Sequence, residues 1–109
     1  MAMVTDRFDV LLISLDPSKG SEIKKTRPCV VISPNEMNKY IKTIIVAPMT
    51  SKIKNYPTRI PVIFDDKEGS IVLDQIRTID KSRIIKKLGA IDNKTITLVL
   101  EVLRNMFGE

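Results

Sequence analysis

Short apolar runs alternate with polar, turn-forming stretches as far as residue 91, and a different pattern takes over after it. FDVLLIS (residues 8–14) is apolar and stops at the turn signal DPSKG, which predicts a first strand. Residues 16–25 are polar and contain glycine, and predict a loop. PCVVIS predicts a second strand; Pro28 donates no hydrogen bond and pushes Arg27 toward extended geometry. SPNEMNK predicts a turn or a single helical turn. TIIVAP (residues 43–48), rich in β-branched side chains, predicts a third strand. A second polar loop, MTSKIKNYP, leads to TRIPVIF (residues 58–64), a fourth strand whose internal Pro61 points to a sheet edge or a bulge. DDKEG reads as a hydrophilic turn. SIVLDQIRTI (residues 70–79) predicts one long bent strand or two shorter ones, and SRIIKKLGAI is compatible with a further short strand.

The last segment has helical spacing. Asp92 suits an N-cap, because its carboxylate can accept from an orphan backbone N–H. Ile96, Val99, Leu100, Leu103 and Phe107 then fall on one face, and Gly108 suits the end. Thr95, Thr97 and Val99 lower the intrinsic propensity, so packing must hold this helix in place. Strands followed by one terminal helix predict a mainly β fold: a small, strongly curved antiparallel sheet or SH3-like barrel closed by a C-terminal helix, in a single domain over residues 1–109.

Composition agrees with one globular core. The chain has 109 residues, 43% hydrophobic and 28% charged, and burial of roughly 65% of the unfolded surface is expected. No apolar run reaches the roughly 18 residues of a membrane span, and the expected compartment is the cytoplasm. The single cysteine, Cys29, excludes an internal disulfide, and its apolar neighbours predict a buried thiol. Net charge is +5, unevenly spread. Residues 39–59 carry Lys39, Lys42, Lys52, Lys54 and Arg59 with no acid, and residues 77–87 carry five cations against Asp80. That distribution suits a polyanionic partner, nucleic acid first.

The absence of histidine removes histidine metal sites, Ser–His–Asp triads and imidazole proton shuttles. GSEIKK lacks the G-x-x-x-x-G-K pattern of a phosphate loop. Polar groups at strand ends remain: Arg27 before the second strand, Thr50 after the third, and Asp74 and Gln75 after IVL. A guanidinium offers a rigid donor fork for phosphate, and a hydroxyl adds a directional hydrogen bond. Together they suit a phosphoryl oxygen on which charge develops, provided that both lie on one rim.

At these residues the chain resembles the MazF/PemK-like toxins of bacterial toxin–antitoxin pairs. DVLLISLDPSKGSE, TRPCVVIS, TIIVAPMTSK, YPTRIPV and SIVLDQIRTIDKSRI carry the resemblance, in order, over residues 9 to about 84. The resemblance implies a dimeric, barrel-like toxin that cuts single-stranded RNA at short sequences without a metal or other cofactor. The ribose 2′-hydroxyl attacks the adjacent phosphate and leaves a 2′,3′-cyclic phosphate and a 5′-hydroxyl. It assigns Arg27 to proton transfer and transition-state stabilisation, Thr50 to holding the phosphate, and Glu22 to a loop acid implicated in activity in some members. Substrate contacts are expected from Lys19, Ser21, Lys24 and Lys25 of the first loop, and from Lys52, Asp74, Gln75 and Arg77. Glu22 and Asp74 both remain candidates for the general base, since a guanidinium normally stays protonated.

Two departures stand out. Phe8 occupies a position where relatives usually carry glycine, and IKK replaces a more supple stretch of the first loop. The implied partners are single-stranded RNA, a second copy of the chain, and an antitoxin with an acidic, flexible C-terminal segment. Two other readings make different predictions. A non-catalytic toxin would poison a protein such as DNA gyrase, and a basic RNA-binding module would bind RNA without cutting it.

Overall fold

The computed structural model describes residues 5–15 and 25–108. The chain runs β1 (Asp9–Ser14), β2 (Thr26–Val31), α1 (Asn35–Tyr40), β3 (Thr43–Thr50), β4 (Arg59–Phe64), β5 (Lys67–Val72), β6 (Arg77–Asp80), β7 (Ile84–Ala90) and α2 (Asn93–Phe107). Short 3₁₀ turns at Leu73–Gln75 and Lys81–Arg83 precede β6 and β7. The strands pair antiparallel in the order β4–β5–β3–β2–β1–β7, with β6 also on β3. The fold is thus mainly β, a curled antiparallel sheet with a C-terminal helix. None of the described helices is long and apolar enough to cross a membrane.

β3 organises the sheet. Val46–Pro48 pair with β2 along one edge. Along the other, Thr43–Val46 pair with β6, and Met49 and Thr50 pair with β5. SIVLDQIRTI therefore forms two strands, separated by a 3₁₀ turn. Pro61 lies on β4, at the end of the strand order, where a missing N–H costs least. DDKEG is a turn only at Asp65 and Asp66, whose φ values of 53° and 60° form a two-residue primed hairpin turn. Lys67, Glu68 and Gly69 already belong to β5.

Alternate residues of the central strands feed two cores. Val10, Val30, Ala47, Met49 and Ile71 pack on one face, joined by Val99 of α2. Leu11, Ile13, Cys29, Val31, Ile44 and Val46 pack on the other. Burial on both faces explains why these strands read as continuous apolar runs.

The start of α2 is capped as expected, the Thr95 N–H donating to Asp92 Oδ1 at 2.8 Å; Gly108 ends the helix in extended geometry (φ −82°, ψ 167°), where a Cβ would stand 2.5 Å from Arg104 O. Its packed stripe is Ile96, Val99, Val102, Leu103 and Met106, whereas Phe107 is 69% exposed. At 3.6 residues per turn, Met106 lies about 20° from Val99 around the axis and Phe107 about 80°, so the packed stripe runs through Met106 and leaves Phe107 to one side.

Phe8 adopts φ +71°, the left-handed region, where glycine carries no penalty. Two backbone hydrogen bonds hold it there: Phe8 N–H to Val31 O at 2.8 Å and Ile91 N–H to Phe8 O at 3.2 Å. The ring packs against the first core, with the Arg7 guanidinium 5.1 Å from its centroid. Side-chain burial here offsets a backbone cost of about 1–2 kcal/mol.

Candidate functional site

β2, β3 and β5 place the candidate phosphate ligands. Cys29 pairs with Pro48 and Val30 with Ala47. Carried two residues further, this register brings Arg27 across from Thr50. Thr50 also pairs with Ser70 of β5, which pairs with Pro61 of β4. Directly opposed residues of antiparallel strands project to the same face. Arg27, Thr50 and Ser70 thus form a row across one rim of the sheet. Arg27 and Thr50 also border a common cleft of about 190 Å³, together with Pro28, Met49, Lys67, Glu68 and Gly69. Thr50 Oγ1 accepts from the Lys52 N–H at 3.2 Å. Accepting that bond leaves the hydroxyl proton to donate elsewhere.

Gly69 lets β5 come this close. A Cβ at Gly69 would stand 2.5 Å from the Thr50 carbonyl oxygen and 3.3 Å from its carbonyl carbon, both backbone atoms. The glycine therefore helps to define where Thr50 sits.

The first loop is fixed at its base. The Leu15 N–H donates to Lys25 O at 3.0 Å. Arg77 Nη1 donates to Leu15 O at 3.1 Å, and Arg83 Nη1 to Ser14 O at 3.2 Å. Arg77, expected to meet substrate, thus also anchors the end of β1. Burial pushes the Cys29 thiol up to about 12, against the opposing pull of Arg77 and Arg27. The thiol is an inert core group, and both guanidinium groups lie within electrostatic reach of it. Lys25 and Lys52 are exposed, whereas Gln75 is half-buried in the 3₁₀ turn after β5. Lys19, Ser21, Glu22 and Lys24 lie outside the described residues.

Asp74 is already engaged. Its Oδ1 accepts from Thr58 Oγ1 at 2.9 Å and Arg59 Nε at 3.2 Å, and its Oδ2 accepts from Arg59 Nη2 at 3.3 Å. Partial burial works to raise the carboxyl, but the bonds from Arg59 and Thr58 outweigh it and hold the group below its ordinary value. A carboxyl depressed in the folded state contributes stability above the unfolded Asp value of about 3.9, and loses it as pH falls through the folded value. Asp74→Asn is therefore expected to flatten the acid limb of the stability profile, read as a smaller difference in urea midpoint between neutral and strongly acidic buffer.

Sequence reasoning passed over Ser70, Lys67, Glu68 and Arg59. Reading DDKEG as a turn throughout hid Lys67 and Glu68, and Ser70 stood only as the first residue of a strand. The two adjacent aspartates, a pair that tolerates positive φ, were the signal for a tighter turn and an earlier strand. A larger groove of about 450 Å³ lies between the β4–β5 hairpin and the start of α2. It shares Val62, Glu68 and Gly69 with the smaller cleft but holds none of the expected site residues.

Comparison with known proteins gives consistent matches. Residues 6–107 match the family model described as PemK-like, MazF-like toxin of type II toxin–antitoxin system. Endoribonuclease MazF of Staphylococcus saprophyticus is 40% identical over 94 residues, covering 81% of this chain and 78% of the relative. A crystal structure of MazF from Deinococcus radiodurans superposes with a TM-score of 0.85 at 25% identity, over 98% of this chain and 99% of the other. A MazE–MazF crystal structure from the same organism gives 0.80 at 25% identity, over 97% of each chain.

Proposed function

The chain belongs to the PemK-like, MazF-like toxin family of type II toxin–antitoxin systems, and we propose that it is a toxin acting in the cytoplasm as a sequence-specific, metal-independent endoribonuclease on single-stranded RNA. The observation that carries this reading is the placement of Arg27 across from Thr50 on one rim of the sheet. Arg27 supplies a fixed guanidinium for a non-bridging phosphate oxygen, and Thr50 donates its remaining hydroxyl proton to the same group.

The 2′-oxygen attacks phosphorus as its proton leaves. The O2′–P bond forms, the P–O5′ bond breaks, and the leaving oxygen takes up a proton. The products are a 2′,3′-cyclic phosphate and a 5′-hydroxyl. The nucleophile belongs to the substrate, so neither a water nor a metal need supply it, and DNA is no substrate. Negative charge grows on the phosphorane oxygens, and Arg27 opposes it where it grows. Asp74 is a poor proton acceptor, because Arg59 and Thr58 already hold its carboxylate. That favours Glu22, carried by the loop anchored through Leu15 and Lys25, as the base. Lys19, Ser21, Lys24, Lys25, Lys52, Gln75 and Arg77 would guide the RNA backbone and the neighbouring nucleotides.

The working unit in this reading is a homodimer, held in check by an antitoxin whose acidic, flexible segment covers Arg27; the MazE–MazF complex of Deinococcus radiodurans supports the partner class. The test is incubation with single-stranded and duplex RNA in excess EDTA. Cutting confined to the single strand is expected, and intact RNA throughout would refute the activity. Thr50→Ala is expected to slow cleavage about tenfold, since one neutral hydrogen bond is lost while the cation stays. Single-turnover rates should rank it clearly above Arg27→Ala.

A further inference from the structure

On the face that carries Arg27 and Thr50, one group has no part in the phosphate chemistry. Arg59 pairs with Val72 on β4–β5, one pleat repeat from the row formed by Thr50, Ser70 and Pro61. Its guanidinium is held by both oxygens of Asp74 and stacks on Tyr56, 4.9 Å from the ring centroid. Tyr56 is nevertheless 50% exposed, so the ring has Arg59 on one side and open surface besides. The turn that presents it is fixed, with the Tyr56 N–H donating to Lys54 O at 2.9 Å and the Arg59 N–H donating to Tyr56 O at 3.0 Å.

We propose that Tyr56, Arg59 and Asp74 form a nucleobase subsite that sets sequence preference beside the cut. The inference rests on the RNA-cleaving reading and deepens it. An aromatic ring stiffened by a guanidinium is a stacking platform for an unstacked base. Asp74 Oδ2 accepts from Arg59 Nη2, and a carboxylate oxygen has two lone pairs, so it can take a base donor as well. An acceptor-only carboxylate favours a base with an exocyclic amino group (adenine, cytosine or guanine) over uracil, whose N3–H donor is flanked by two carbonyl oxygens that the carboxylate repels. Arg59 lies two strands from Thr50, about 10 Å across the sheet at ordinary strand spacing. That distance suits a base within one or two nucleotides of the scissile phosphate. The pair also locks the platform: Arg59 and Asp74 are tied to each other before RNA arrives, so little ordering is left for binding.

The chain has no tryptophan and two tyrosines, which gives a direct readout. Tyr40 is 82% exposed on α1, away from this group, and Tyr40→Phe leaves Tyr56 as the single tyrosine emitter. Uncleavable DNA 12-mers of mixed A and C, or of T alone, are titrated while anisotropy of an end label reports binding. Quenching of Tyr56 emission, stronger with the A/C oligomer, is expected. Binding without any change in emission, equal quenching by both oligomers, or no binding would overturn the subsite. In parallel, Tyr56→Ala is expected to raise KM for RNA about 5- to 150-fold with kcat retained; an unchanged KM would also overturn it. Cleavage by the unmodified protein without quenching removes the subsite and leaves the nuclease reading intact. Quenching without RNA cleavage does the reverse.

Discussion

Arg27→Ala is expected to lower single-turnover RNA cleavage by about 10²–10⁴-fold while leaving the fold intact. Loss of one well-placed donor to a developing oxyanion costs about 10²–10³, and loss of an assisting proton-transfer group costs about 10²–10⁴. The side chain projects from the β2 end nearest the loop, where it is half-buried, and β2 is secured by pairing of Arg27 with Ile13 and of Cys29 with Leu11. The strand pairing does not depend on the side chain, so the substitution removes the cation and leaves β2 in place. Arg27→Lys should restore only part of the rate, because an ammonium keeps the charge and loses the planar fork. Thermal melts of both variants would check that the fold survives. Cleavage by Arg27→Ala at the unmodified rate would remove the assignment.

The second large effect is expected from Gly69→Ala, a residue with no functional group. The new methyl would stand 2.5 Å from the Thr50 carbonyl oxygen. No flexible side chain is there to yield, so β3 and β5 must part where Thr50 pairs with Ser70. Overpacking of this kind costs about 1–3 kcal/mol of stability. Displacement of a positioned group by about 1 Å can cost about 10²-fold in rate. A lower melting temperature and a cleavage rate reduced at least tenfold, measured well below the melting temperature, are expected together. Unmodified values for both would show that the Thr50 rim tolerates movement.

The strands of the central sheet were legible because burial on both faces makes their apolar runs continuous, as in DVLLIS and TIIVAP. Asp92 announced the start of α2 through capping chemistry that acts within one turn, and Gly108 marks its end, where a Cβ would crowd Arg104 O. Tertiary geometry was harder to read. That Arg27 lies across from Thr50 depends on strand register, which no local pattern encodes. Lys67 and Glu68 look like turn residues in sequence, and become strand residues because Asp65 and Asp66 complete the reversal alone. Arg59 was visible only as one charge in a basic stretch. Its pairing with Asp74, fifteen residues away, changes the meaning of both: the aspartate that resembled a reserve base is a restrained acceptor. Phe8 shows the converse. Its departure from the usual glycine drew attention to the backbone at that position, where φ is indeed positive.

The most direct test of the central claim is to cleave an RNA at its mapped site and identify the new termini, alongside the same RNA carrying a single 2′-deoxy substitution on the 5′ side of the cut. The account predicts a 2′,3′-cyclic phosphate and a 5′-hydroxyl from the first, and no cut at that site in the second. A 5′-phosphate terminus, or cutting of the substituted RNA at the same site, would contradict it.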